Sequence, residues 1–98
     1  MAKKTYQSTD GTSFHGITIR ASVNQLTKAF GDPTIVDNTG DDKVNFEWDM
    51  ETDEGEVFAI YDWKYYRPLS SDEIVTWNIG AMSKSVSNDA ERELLKAL

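Results

Sequence analysis

The chain has 98 residues and no cysteine, with 17 acidic against 10 basic residues and a formal charge of -7. That length suits one core rather than two, and the missing thiols exclude disulfides, thiol catalysis and cysteine-based zinc sites. The sequence turns polar directly after Met1-Ala2-Lys3-Lys4 and no apolar run reaches the length of a membrane span, so neither a signal peptide nor membrane association is expected.

In chain order, residues 1–13 are polar and contain Asp10-Gly11, which reads as a flexible N-terminal lead-in ending in a turn. Phe14 to Arg20 alternates as a short strand with Ile17 and Ile19 on one side. Ser22 and Gln25 form a capping box ahead of the stripe Val23, Leu26, Ala29 and Phe30, which predicts a helix. Gly31 and Pro33 stop it, the first by accepting a left-handed cap and the second by lacking an N–H. Asp37 to Asp42 has turn chemistry. Beyond it Val44, Phe46, Trp48 and Met50 alternate with Asn45, Glu47, Asp49 and Glu51, the pattern of a strand with one buried side.

Asp53-Glu54-Gly55 predicts a hairpin turn, and residues 56–63 predict a returning strand. That strand is apolar on both sides, with Phe58 and Ile60 opposite Val57, Ala59, Tyr61 and Trp63, and is therefore expected to be central and covered on both. A loop follows over residues 64–72, then a strand over 73–79 ended by Gly80. The last segment predicts a helix with Asn88 and Glu91 as capping box and Ala90, Leu94, Leu95 and Leu98 facing inward. The order implies one compact α+β domain over residues 14–98. It is expected to hold a small antiparallel or mixed sheet of about four strands packed with two helices.

Catalytic chemistry finds little to stand on. His15, the one histidine, has no nucleophile paired to it by motif and reads as a strand-edge residue. Asp37, Asp41 and Asp42 lack the spacing and terminal glutamate of a calcium loop. Glu47 and Asp49 stand side by side rather than across a substrate cleft, and Gly31-Asp32-Pro33 is no phosphate loop. The chain is read as a non-enzyme without metal or cofactor.

Binding chemistry is better represented. Residues 32–56 carry ten carboxylates and one base, Lys43. Alternate residues of a strand lie about 6.7 Å apart on the same side, so Glu47, Asp49 and Glu51 form an outward line that Asp53 and Glu54 continue. Such a row repels nucleic acid and suits a basic protein surface, where it could stand in for phosphates; it equally suits a solvated sheet face. Tyr65 and Tyr66 are candidate interface anchors. Trp63, Lys64 and Arg67 form an alternative ligand-binding set in which stacking and positive charge would hold a nucleotide.

Gly16-Ile17-Thr18-Ile19-Arg20-Ala21-Ser22, Leu26 through Phe30-Gly31-Asp32-Pro33, Phe46-Glu47-Trp48, Phe58-Ala59-Ile60-Tyr61-Asp62-Trp63-Lys64 and Trp77-Asn78-Ile79-Gly80 together resemble a group of small, mostly uncharacterised early proteins of tailed bacteriophages. The resemblance runs from Gly16 to Gly80. It implies a protein made in the cytoplasm of an infected bacterial host, and it supplies no active-site residues. It points to a host-directed inhibitor whose partner is a nuclease or another nucleic-acid-binding protein of restriction or CRISPR defence. Sequestration of a small ligand and an assembly accessory are the alternatives, the latter including a homodimer formed by strand addition at a sheet edge.

Overall fold

A computed structural model describes residues Met1–Leu98 as an antiparallel sheet of six strands with two helices, which fits the α+β expectation and exceeds the four strands foreseen. The elements are β1 (Lys3–Lys4), β2 (Ser13–Ala21), α1 (Val23–Phe30), β3 (Ile35–Val36), β4 (Phe46–Glu51), β5 (Val57–Tyr61), β6 (Val75–Ala81) and α2 (Lys84–Ala97). The strand order is β1-β4-β5-β6-β2, with β3 pairing the other end of β4's outer edge. The hairpin turn at Asp53-Glu54-Gly55 sets the register of β4 and β5, with Glu47 opposite Tyr61 and Asp49 opposite Ala59. β5 is indeed the central strand.

Period-two alternation sends Phe46, Trp48 and Met50, Phe58 and Ile60, and Val75, Trp77, Ile79 and Ala81 to one side of the sheet. Leu26 and Phe30 of α1 and Ala90 and Leu94 of α2 complete the core with them. Trp48 and Trp77 meet edge to face with centroids 5.5 Å apart, and Phe46 packs on both. A buried indole needs an acceptor for its N–H. Trp48 Nε1 donates to the Gly31 carbonyl at 2.9 Å and Trp77 Nε1 to the Ala21 carbonyl at 2.9 Å, so the two rings tie both ends of α1 to the sheet. The Ser22 and Gln25 capping box is present at the start of α1.

Several expectations are corrected. Gly80 does not end a strand but lies inside β6, paired with Phe14 and Ala59, and Leu95 and Leu98 are exposed rather than facing inward. The capping box foreseen at Asn88 and Glu91 lies inside α2, which starts a full turn earlier: Ser83 is the N-cap and its Oγ accepts from the Val86 N–H at 3.2 Å. Residues 1–13 are also more than a lead-in. Lys3 and Lys4 pair with Glu51 and Met50, while Ala2 and Thr5 are buried.

That N-terminal pairing shapes the second side of the sheet. β1 lies on one edge and β2 on the other, so the chain between them must cross the whole sheet. Four inter-strand gaps of roughly 4.8 Å make about 19 Å, within reach of eight residues at about 3.3 Å each. The helices occupy the first side and the crossing segment takes the second, where Thr9, Thr12 and Ser13 border Glu47, Ala59 and Gly80. This strap follows one row of the register, Asp49–Ala59–Gly80–Phe14, entered from Thr5, whose N–H donates to the Asp49 carbonyl at 3.0 Å.

Candidate functional site

The strap divides the acidic line. Glu47, Asp49 and Glu51 share the side of the sheet without helices, as their alternation required, but Asp49 lies in the row beneath the strap, with Glu47 to one side of it and Glu51 to the other. Ala59, in the same row, is only 4% exposed although no helix covers it. Glu51 faces Lys3 across the β1–β4 ladder. At the turn, Asp53 forms an ion pair with the amino group of Met1, and its backbone N–H donates to Glu93 Oε1 at 3.0 Å, while Glu54 is exposed.

On the Glu47 side of the strap lies a groove of about 230 Å³. Its floor is made by the facing pair Ala59 and Gly80, and its rim by Thr9, Thr12 and Ser13 of the strap. Val44, Glu47, Tyr61 and Trp63 form the remaining wall, the two rings perpendicular at 6.0 Å between centroids. Gly80 has a specific part in this: a Cβ there would stand 3.2 Å from Tyr61 Cε1, so the phenol ring lies across a position that only hydrogen leaves free. Lys43 and Lys64 stand over the Trp63 ring at 5.7 and 5.6 Å.

Burial dominates the electrostatics of Glu47. Desolvation, then a hydrogen bond with Asp49 and that residue's negative charge, raise its pKa to about 7. A raised pKa leaves Glu47 protonated in part of the population near neutral pH. Asp49 Oδ1 is shut from solvent and has no hydrogen-bond partner. The line therefore carries less charge, and less evenly, than its sequence suggests.

The loop after β5 places its residues differently. Tyr65 turns inward, packs against the core and accepts the Thr76 N–H on its hydroxyl at 2.9 Å, whereas Tyr66 is 54% exposed. Lys64 and Tyr66 both adopt left-handed backbone, φ 59° and 51°, a strain on the order of 1–3 kcal/mol each. The surrounding bonds hold it: Arg67 makes a two-pronged pair with Glu73 at 2.7 and 2.9 Å and lies over Tyr65, and this pair lowers Glu73 to about 2. The guanidinium of Arg67 is thus engaged within the loop, and the set Trp63, Lys64 and Arg67 does not converge on one opening. Trp63 alone of the three lines the groove.

Beneath this loop lies the residue with the most demanding surroundings, Asp62, which is fully buried. Its carboxylate accepts the N–H groups of Asn45 and Phe46 at 2.9 and 2.8 Å and the Asn45 side-chain amide at 3.0 Å. Asn45 in turn bonds the Arg67 carbonyl and the Gly40 N–H, joining the loop before β4 to the loop after β5. Gly40 packs so closely on Arg67 that a Cβ would fall 2.6 Å from its Cα. Sequence patterning nominated neither Asp62 nor Tyr61 as a site residue. For Tyr61 a signal existed: a hairpin centred on Glu54 pairs position 47 with position 61. None existed for Asp62, whose partners are brought to it by the fold.

His15 sits at a β-bulge of edge strand β2, with its Nε2 3.0 Å from the Ala81 carbonyl. No helix is long and apolar enough to cross a membrane, and no group of three or more His, Cys, Asp or Glu residues is arranged to hold a metal. No protein-family model, curated protein or solved structure matches this chain.

Proposed function

We propose that this chain is a non-catalytic binding protein that uses the strapped side of its sheet to occupy a basic surface on a nucleic-acid-handling protein of a bacterial host, inhibiting it. The observation that carries this reading is the grouping of carboxyls with exposed aromatic surface on a sheet face that no helix covers. Glu47, Glu51 and Glu54 offer charge there, and Tyr61 and Trp63 offer area. A net charge of -7 adds long-range steering toward a cationic partner. Because the strap interrupts the line at Asp49, the complementarity is to basic side chains entering on either side of it, rather than to a groove that reads evenly spaced phosphates.

The test is quantitative affinity capture from host lysate with the wild type and with a Glu47→Lys/Glu51→Lys/Glu54→Lys variant, followed by an activity assay of whatever is captured. Recovery of a nucleic-acid-binding protein in stoichiometric amount, with its activity suppressed by the wild type and not by the variant, supports the reading. Equal capture and inhibition by both proteins overturns it.

A second reading draws on the two ammonium groups over Trp63, which would suit a small anionic ligand such as a nucleotide. A nucleotide panel that neither shifts Trp63 fluorescence nor raises the melting temperature removes it.

A further inference from the structure

We propose that the groove beside the strap is a receptor for a single arginine side chain of the partner protein, with the guanidinium paired to Glu47 and laid against Tyr61. The inference rests on the binding reading above and narrows it from a charged face to one pocket.

Shape and chemistry agree on the occupant. Ala59 and Gly80 put no side chain larger than methyl at the base of the groove and the Tyr61 ring lies across Gly80, so a flat group enters over the phenol face. Glu47 stands directly across the ladder from Tyr61. A carboxylate therefore borders an aromatic ring, the two surfaces a planar cation with forked N–H donors can use together. The hydroxyl-bearing rim of Thr9, Thr12 and Ser13 provides acceptors for the donors that Glu47 leaves free. Trp63 serves as the apolar end wall. Lys43 and Lys64 already stand over its ring, which leaves Tyr61 as the stacking surface.

An aliphatic occupant would shield the half-exposed Glu47 carboxyl from water without giving it a partner, and an anion would meet it head on. A nucleic acid is disfavoured for the same reason. Lysine could reach the carboxyl but would present a point charge where the groove offers a flat slot.

The groups facing Glu47 make occupancy proton-linked. Asp49 borders it on its own strand and Tyr61 faces it from β5, and no lysine or arginine forms an ion pair with Glu47. A guanidinium pairs with the ionised Glu47 carboxylate and so competes with its proton. Binding near neutral pH thus releases a proton and weakens as the solution is acidified.

The experiment is an NMR titration of the full chain with N-acetyl-Gly-Arg-Gly-amide, with the norleucine peptide as control and an oligoarginine peptide as a probe of the whole acidic face. Saturable shifts confined to Glu47, Tyr61 and the Trp63 indole, absent with norleucine, are expected. Affinity should fall about tenfold between pH values of about 8 and 5.5 as Glu47 takes up its proton. Glu47→Gln should weaken binding at least about fivefold, as expected for loss of a charged partner. Gly80→Ala, which pushes the Tyr61 ring off the floor without changing charge, should weaken it as well. Oligoarginine binding that is insensitive to both substitutions and spread over the acidic residues overturns the pocket while leaving the binding face standing. Absence of binding by either arginine peptide overturns both.

Discussion

On the helix side of the sheet, Trp48 and Trp77 are completely buried and both indole N–H groups are matched by backbone carbonyls. On the strap side, Trp63 is 44% exposed, partial burial raises the pKa of Glu47 and Asp49 Oδ1 lacks a partner. The strands supplying the two sides are the same. The difference lies in the cover: two helices close the first side with apolar side chains, whereas one extended segment of eight or so residues crosses the second and leaves ground open on both flanks. Close packing and satisfied polar groups make the first side the source of stability. Imperfect satisfaction and exposed aromatic area make the second side the place where a partner has something to gain.

The contrast can be broken most severely from the core. Trp77→Ala should cost about 3–5 kcal/mol, because it removes a fully buried ring, its contact with Trp48 and the tie to the end of α1. Equilibrium urea denaturation followed by far-ultraviolet circular dichroism measures it. A loss below 1 kcal/mol would mean that the helix side is not the stabilising one.

Asp62→Ala comes next, at about 2–4 kcal/mol, since two backbone N–H groups and the Asn45 amide lose their acceptor in a place water does not reach. Asp62→Asn should cost less than Asp62→Ala. It keeps one oxygen for the two backbone donors and sets its own NH2 against that of Asn45. The same denaturation series ranks the pair.

Glu47 should behave in the opposite sense. Its folded pKa of about 7 lies above the ordinary value of 4.5, so between these two the folded chain binds more protons than the unfolded one and stability declines as pH rises through that window. Below the window both states are protonated and no penalty is present; above about 7 it is fully imposed. Glu47→Gln should therefore stabilise by about 1–2 kcal/mol at mildly alkaline pH, after allowance for solvent screening of a half-exposed carboxyl, and by almost nothing in acid. Thermal melts across that pH range check both the sign and the disappearance of the effect. A destabilising Glu47→Gln would show that the strap needs this carboxylate for its own structure.

Trp63→Ala should alter stability least, by about 0.5 kcal/mol or less, as expected for a surface residue whose contacts are with Tyr61 and two lysine side chains. The same substitution should nonetheless reduce partner binding in the capture assay. Stability and binding losses that separate in this way at Trp63 and Trp77 would sharpen the division between the two sides; a loss of several kcal/mol at Trp63 would abolish it.

Much of this architecture is a local property of the residues. Alternation through Phe46, Trp48 and Met50, the Ser22 and Gln25 capping box, the Gly31 and Pro33 stop and the hairpin at Asp53-Glu54-Gly55 each act within a few residues, and each appears in the structure. The side of the sheet that Glu47, Asp49 and Glu51 occupy follows from the same period of two. The start of α2 was less legible because Ser83 and Asn88 are both acceptable caps. Which one serves depends on how much of the preceding chain packs as helix against β2 and β6.

What only the tertiary structure decided is the fate of the polar N-terminal stretch and, with it, the character of the site. No propensity marks Lys3–Lys4 as a strand; it becomes one because β4 presents an unpaired edge beside the turn at Asp53. Once held there, the chain has to return to the far edge of the sheet, and its path leaves Asp49 half-buried, sets Glu47 beside Tyr61 and Trp63, and turns a row of charges into a groove. Strand periodicity is written in neighbouring residues, whereas desolvation depends on which distant segment excludes the water.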